Sequence, residues 1–253
     1  MRNELFIKAC YAGAAILPFF RTADLASENK LAGGYDPVTS ADRASETAMR
    51  EILGRDRPDD GILGEEYGAT PGTSGLTWVL DPIDGTRAFI AGQAGFAHSL
   101  AVAEGHRIIA AVVHLPAMDL TFTAHADGPA LLNGQPIRPS GAGIGGARVL
   151  TYKSATDPEH WKGGRVPPFR REFRPSLAWR LCLVAEGRFD AALSVRHVWE
   201  WDIAAGSLIA ERAGAIATDR HGQPMRFNSP RAMIDGMVVA GPRLHRDMRV
   251  AMT

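Results

Sequence analysis

Residues 77–92 read TWVLDPIDGTRAFIAG. A short apolar run, Trp78-Val79-Leu80, ends in two acids, Asp81 and Asp84, placed around a proline. Apolar runs of this kind read as buried strands, and the DPIDGT that follows reads as a turn at the strand end. Two carboxylates so close repel each other. A carboxylate emerging from the core without a partner costs several kcal/mol, so it takes up a proton or finds a cation. The single arginine of the stretch, Arg87, is too little charge to neutralise both.

Working outward, further acids fall at ends of apolar elements. Glu65-Glu66 closes GILGEEYG, Asp42 closes DPVTSAD, and Asp202 opens WDIAAG. Each has an ordinary explanation in helix capping or a solvated loop tip. Together they form a set that a hard divalent cation satisfies better than lysines, which are few nearby. Mg²⁺ takes oxygen ligands and keeps coordination positions for water and phosphate. Gly85 lets a phosphate approach the backbone. A helix starting near Thr86 offers free N–H groups to an anion, and the Thr86 hydroxyl can orient a water.

The rest of the chain frames this centre. Its 253 residues suffice for one large domain or two packed halves. Apolar residues make up 45% and charged residues 22%, and 28 basic residues balance 28 acidic ones. Bulk charge therefore points to no nucleic-acid polymer and no membrane surface. No apolar run approaches the roughly 20 residues that span a bilayer. The two cysteines, Cys10 and Cys182, lie far apart without metal-ligand spacing, which fits core residues in a reducing, cytoplasmic setting. His98, His114 and His197 also follow no ligand spacing.

Periodicity predicts an amphipathic first helix on Leu5, Ala9, Ala12 and Ile16, and a second on Ala41, Ala44, Ala48 and Ile52 with Thr39 and Asp42 as a capping box. Residues 54–64 read as a loop. Strands follow from Ser99 to Ala124, then a hairpin in ADGPALLNGQPIRPS. SGAGIGGA, residues 140–147, is the lowest-complexity stretch and sets the expected boundary between halves 1–140 and 147–253. Beyond it come a helix in SLAWRLCLVAEG, a strand in FDAALSV, a helix from Asp202 to Gly214 and a last strand in GMVVAGP. Runs of strands followed by alternation predict α+β joined to α/β.

GEE at Glu65-Glu66, DPIDGT at 81–86 and WDIAAG at 201–206 resemble the signature set of the inositol monophosphatase family, and DPVTSAD resembles its upstream motif. The resemblance implies a layered αβαβα sandwich and a Mg²⁺-dependent, often lithium-sensitive hydrolase of small phosphorylated metabolites. By position, Glu65, Asp81 and the Ile83 carbonyl would hold one Mg²⁺. Asp81, Asp84 and Asp202 would hold a second, and Glu65 would reach a third. Asp42 and Thr86, helped by Glu65, would orient the attacking water. Gly85 and Thr86 N–H groups would grip the phosphate, with Asp84 also facing the substrate. Many relatives are dimers, so a homodimer is expected.

For the substrate, the family offers inositol monophosphates, histidinol phosphate, fructose 1,6-bisphosphate and adenosine 3′,5′-bisphosphate. Val195 stands where inositol phosphatases resemble one another in carrying an acid, which argues against inositol. SLAWRLCLVAEGRFDA resembles the bacterial 3′(2′),5′-bisphosphate nucleotidase branch, with Arg180 and Arg196 as candidate contacts to a second phosphate. The histidinol-phosphatase branch matches equally well in ENKLAGGYDPVTSAD and ILGEEYG. A role outside catalysis, binding the transcription machinery, is the expectation of another class.

Overall fold

A computed structural model describes residues 17, 20–22, 27–29 and 37–252. The predicted first helix (Leu5 to Ile16) and Cys10 lie outside the described residues. After a two-stranded ribbon, β1 (Ser27–Asn29) and β2 (Pro37–Thr39), helix α1 spans Ser40–Asp56. The capping box forms as the sequence predicts. Thr39 Oγ1 accepts from the Ala41 and Asp42 N–H groups, and Asp42 Oδ2 accepts from Thr39 N at 2.8 Å.

An eight-stranded sheet occupies residues 61–136. It comprises β3 (Gly61–Gly64), β4 (Gly68–Thr70), β5 (Leu76–Asp84), β6 (Ala97–Glu104), β7 (Arg107–Leu115), β8 (Leu120–His125), β9 (Leu131–Leu132) and β10 (Gln135–Pro136). Their order is β10-β9-β8-β7-β6-β5-β3-β4, with only β3–β5 parallel. Gly61–Gly64 was expected as loop. Its pairing with β5, each residue with the one sixteen positions downstream, is a tertiary choice that local pattern does not reveal. Helix α2 (Thr86–Ile90) is a single turn and a half after β5.

A mixed five-stranded sheet lies within residues 148–240. Its strands are β11 (Arg148–Leu150), β12 (Arg170–Glu172), β13 (Ala191–Ser194), β15 (Ile216–Thr218) and β17 (Met237–Ala240), ordered β12-β11-β13-β17-β15. β14 (Val198–Trp199) and β16 (Met233–Ile234) pair separately. Helix α3 spans Leu177–Ala185, α4 Glu200–Ala213 and α5 Pro242–Ala251. The last of these follows the strand that the sequence reading treats as final. The 140–147 stretch lies between the last strand of one sheet and the first of the other, where we propose that the two halves meet.

Strand alternation builds the layers. Trp78 and Leu80 of β5 join Met49 and Leu53 of α1 in one apolar cluster. Val79, between them, joins the opposite cluster with Leu181 of α3 and Ile209 of α4. That cluster also takes Met237 and Val239 of β17, while Val238 and Ala240 turn to Leu244 and Met248 of α5. The order is therefore helix, sheet, helix pair, sheet, helix. The two central helices cross closely at Gly206, where an added Cβ would stand 2.7 Å from Leu181 Cβ. Gly214 ends α4 in a left-handed conformation, φ 104°. No helix among the described residues is long and apolar enough to cross a membrane.

Candidate metal centre and active site

Asp81 and Asp84 do not sit in a turn after the strand, as the sequence suggests. Both belong to β5, whose register against β6 slips between them. Asp81 faces Ser99 and Asp84 faces Ala97, so three steps on β5 match two on β6. In a regular strand, residues three apart point to opposite faces. The extra residue, beside Pro82, re-aims the chain and turns both acids into one cleft. Gly85 follows with φ 97°, and a Cβ there would lie 3.2 Å from the Gly95 carbonyl oxygen. The sharp exit at this position therefore needs glycine.

Asp202 completes the group from the first turn of α4. Asp81, Asp84 and Asp202 each offer one oxygen, all within 4.8 Å of one another. Glu65 lines the same cleft of about 470 Å³ and lies close enough to Asp81 to share a hydrogen bond with it. Burial, first, and then the negative charges of Glu65, Asp84 and Asp202 hold the Asp81 carboxyl well above the usual carboxylate range.

Asp81 Oδ1 is buried with no hydrogen-bond partner. Other buried acids are fully engaged. Asp42 accepts from Thr39 and Thr86. Glu46 accepts from Arg50 Nε and from the Glu66 and Tyr67 N–H groups. Glu200 accepts from Asn228 N, Ser229 N and Ser229 Oγ. Among the described residues, the one other acid with such an oxygen, half-buried Glu186, has Arg188 at 2.8 Å as counter-charge, whereas Asp81 Oδ1 sits among other carboxylates. An all-oxygen donor set around an unsatisfied buried carboxylate fits a hard divalent cation.

Neighbouring groups hold the acids in place. Ser176 Oγ donates to Asp84 Oδ2 at 2.6 Å, and the first N–H groups of α3 donate to both oxygens, Leu177 N at 3.1 Å and Ala178 N at 2.5 Å. Asp84 thus lies on the N-terminus of α3, which stabilises its charge. Burial raises its pKa, and these bonds with nearby Arg180 work against that rise. Glu46, buried in α1, ties down the turn that follows Glu65. A Cβ on Gly64 would stand 2.0 Å from Glu46 Oε1. Beneath the motif, buried His98 bonds the Pro82 carbonyl through Nδ1 and stacks on His114 at 6.2 Å. These histidines are core residues, while His197 is exposed beside Asp235.

Thr86 and Asp42 meet although they lie on different elements. Thr86 Oγ1 is 3.1 Å from Asp42 Oδ1 and 3.1 Å from the Ile83 carbonyl oxygen. Ile83, Gly85 and Thr86 line the cleft beside the acids, whereas Glu66 does not.

The arginines expected to contact a second phosphate, Arg180 and Arg196, are not among the residues lining the cleft. Arg180 is only 1% exposed. Its guanidinium packs over the rings of Tyr152 (4.7 Å) and Phe173 (4.4 Å), and Nε donates to the Arg174 carbonyl. Arg180 is not among the residues that line the cleft, although it lies near enough to Asp84 to act on its charge. Arg196 is exposed but outside the cleft wall, and Val195 packs into the core beneath a separate cavity. Sequence reasoning missed Ser176 as the partner of Asp84. Its capping position before an apolar helix is a visible signal, but nothing local links it to an acid 92 residues away. It also missed Tyr152 and Phe173, isolated aromatics that fall on the cleft only in the fold.

Known proteins share this architecture. The histidinol-phosphatase of Mycobacterium tuberculosis is 34% identical over 197 residues, 74% of this chain and 75% of the relative. The inositol-1-monophosphatase of Rhizobium meliloti is 36% identical over 208 residues, 76% and 75%. The Nus factor SuhB of Escherichia coli is 34% identical over an alignment of 260 positions, covering 98% and 94%. Among solved structures, the inositol monophosphatase from Zymomonas mobilis superposes with TM-score 0.80 at 30% identity, covering 98% of this chain and 95% of that one. The extragenic suppressor protein suhB from Bartonella henselae gives 0.84 at 26%, covering 98% and 96%. Residues 4–252 match the model of the inositol monophosphatase family. The chain belongs to that family of phosphoric monoester hydrolases.

Proposed function

We propose that this protein hydrolyses a small phosphate monoester with Mg²⁺ and a water positioned by Thr86. The observation that carries this reading is the convergence of Asp81, Asp84 and Asp202 within 4.8 Å, beside the Thr86–Asp42 pair. Glu65, Asp81 and the Ile83 carbonyl would hold one ion, and Asp81, Asp84 and Asp202 a second, with Glu65 open to a third. Magnesium bound there supplies positive charge that acidifies water and offsets the charge gathering on the phosphoryl oxygens and leaving group.

The chain's own groups do the rest. With Asp42 ionised, the Thr86 proton points to Asp42 Oδ1, which leaves the Thr86 oxygen free to accept from a water in the cleft. Glu65 on the cleft wall is placed to accept a proton from that water. The Gly85 backbone, bare of a side chain, lets phosphate approach the Gly85 and Thr86 N–H groups.

For the substrate, we keep adenosine 3′,5′-bisphosphate, histidinol phosphate and inositol 1-phosphate as candidates. Among the described residues Arg87 is the arginine on the cleft wall, and it supports the nucleotidase reading, whereas Arg180 and Arg196 are not among the lining residues. Initial rates of phosphate release on these esters, with Mg²⁺, with chelator and with added Li⁺, test the reading. Mg²⁺-dependent release from at least one supports it, and release unaffected by chelator overturns it. We further infer a cytoplasmic homodimer, which sizing by light scattering tests for assembly.

A second reading rests on the relatives named as Nus factors. Capture of RNA polymerase by both wild type and a turnover-dead Asp81→Asn variant supports that role. Failure of both to capture it removes it.

A further inference from the structure

We propose that the rim of the cleft is a stacking subsite for a leaving group bearing a flat heteroaromatic ring. This deepens the phosphomonoesterase reading and rests on it for the orientation of the ester. Among the described residues, four aromatic side chains stand among the large exposed hydrophobics, and three of them line this one cleft. They are Tyr152 (49% exposed), Phe173 (43%) and Trp199 (43%). Scattered exposed aromatics need no explanation, but a cluster around an acid-floored cleft does.

Each ring is braced from behind. Trp201 stacks on Trp199 with centroids 4.8 Å apart and planes 11° from parallel, so one indole face is covered while the residue as a whole stays exposed. Tyr152 and Phe173 meet edge to face at 5.4 Å, and the buried Arg180 guanidinium packs on both. Arg180 therefore serves as the platform of the rim rather than as a phosphate contact. Trp199 directly precedes α4, whose first turn carries Asp202, so its distance from the phosphate floor is set by a few residues of backbone.

The chemistry of such a wall is selective. A polyol pressed on aromatic faces loses water from its hydroxyls, and the ring faces of the rim offer no hydrogen bonds to replace it. A heteroaromatic ring offers a flat apolar face to the rim and keeps its nitrogens at the edge, toward Arg87, Gln93 or water. Base–aromatic stacking is tolerant of ring identity, so imidazole and purine are two members of one class.

The test has a kinetic and a binding arm. In the first, kcat/KM is measured with Mg²⁺ for histidinol phosphate, adenosine 5′-monophosphate, inositol 1-phosphate and glycerol 2-phosphate, on wild type, Tyr152→Ala, Trp199→Ala and Trp199→Phe. Ring esters should exceed polyol esters by about tenfold or more, chiefly in KM. The ring-to-glycerol preference should fall about tenfold in each alanine variant and return in Trp199→Phe. A preference for the polyols, or an equal loss on every ester, overturns the subsite. In the second arm, histidinol, adenosine and inositol are titrated against the indole fluorescence of wild type and Trp199→Phe. Saturable quenching by the ring alcohols but not inositol, lost in Trp199→Phe, supports the subsite even if no ester is hydrolysed, in which case the phosphatase reading alone falls. No binding of either ring alcohol overturns the subsite even if esters are hydrolysed.

Discussion

Thr86 Oγ1 stands 3.1 Å from Asp42 Oδ1, joining the residue after the Gly85 turn to the third residue of α1 across 44 positions of sequence. The other oxygen of Asp42 is held by the Thr39 N–H and hydroxyl. One carboxylate thus caps its own helix and fixes Thr86, the residue to which we assign the positioning of water.

Thr86→Val keeps the side-chain shape and removes the hydroxyl. It should lower kcat by roughly 10²–10⁴-fold, the usual worth of a positioned proton-transfer group. Magnesium affinity should hold, because the metal acids are untouched. Thr86→Ser should restore most of the rate. Equal kcat in Thr86→Val and wild type would contradict the role.

Ser176 is the most direct handle on Asp84. Ser176→Ala removes the side-chain cap of α3 and one bond to Asp84, leaving the bonds from Leu177 N and Ala178 N. Stability should drop by about 1 kcal/mol. The Mg²⁺ midpoint should rise, because Asp84 is held less firmly. Thermal melts and a Mg²⁺ titration of activity check both, and an unchanged midpoint would show that the α3 N-terminus fixes Asp84 alone.

How acid weakens the fold follows from buried histidines. Burial pushes His98 and His245 down from 6.5 to about 4. Between those values the unfolded chain binds protons that the folded one refuses, so stability falls as pH drops from 6.5 to 4. Asp81 and Asp84 act in the opposite direction when no metal is bound, since their raised pKa values favour the protonated folded form on acidification. His245, bonded to Thr218 Oγ1 at 2.9 Å, isolates the first effect. With Mg²⁺ present, denaturant melts of His245→Gln should show an acid fall shallower by up to one proton, about 1.4 kcal/mol per pH unit. Parallel curves would contradict this.

Much of this arrangement was legible in residue order. The capping box at Thr39 and Asp42, the strands after Ser99, the helices around Leu177 and Asp202, and the acids themselves follow from local pattern. The bulge was not, because a register slip depends on β6, and the pattern around Pro82 reads equally as a turn. The pairing of Gly61–Gly64 with β5 was hidden for the same reason. Arg180 reads in sequence as a charge in an apolar helix, and only the fold shows that its planar cation packs on the rings of Tyr152 and Phe173.

We propose that the Asp81 carboxylate, buried among like charges with Oδ1 unpartnered, exists to hold metal. Asp81→Asn tests it most directly, by thermal melts with and without Mg²⁺ alongside phosphate release. The variant, relieved of buried repulsion, should melt no lower than wild type without metal, gain less from Mg²⁺, and release no phosphate. A variant with near-normal release and a wild-type response to Mg²⁺ would contradict it.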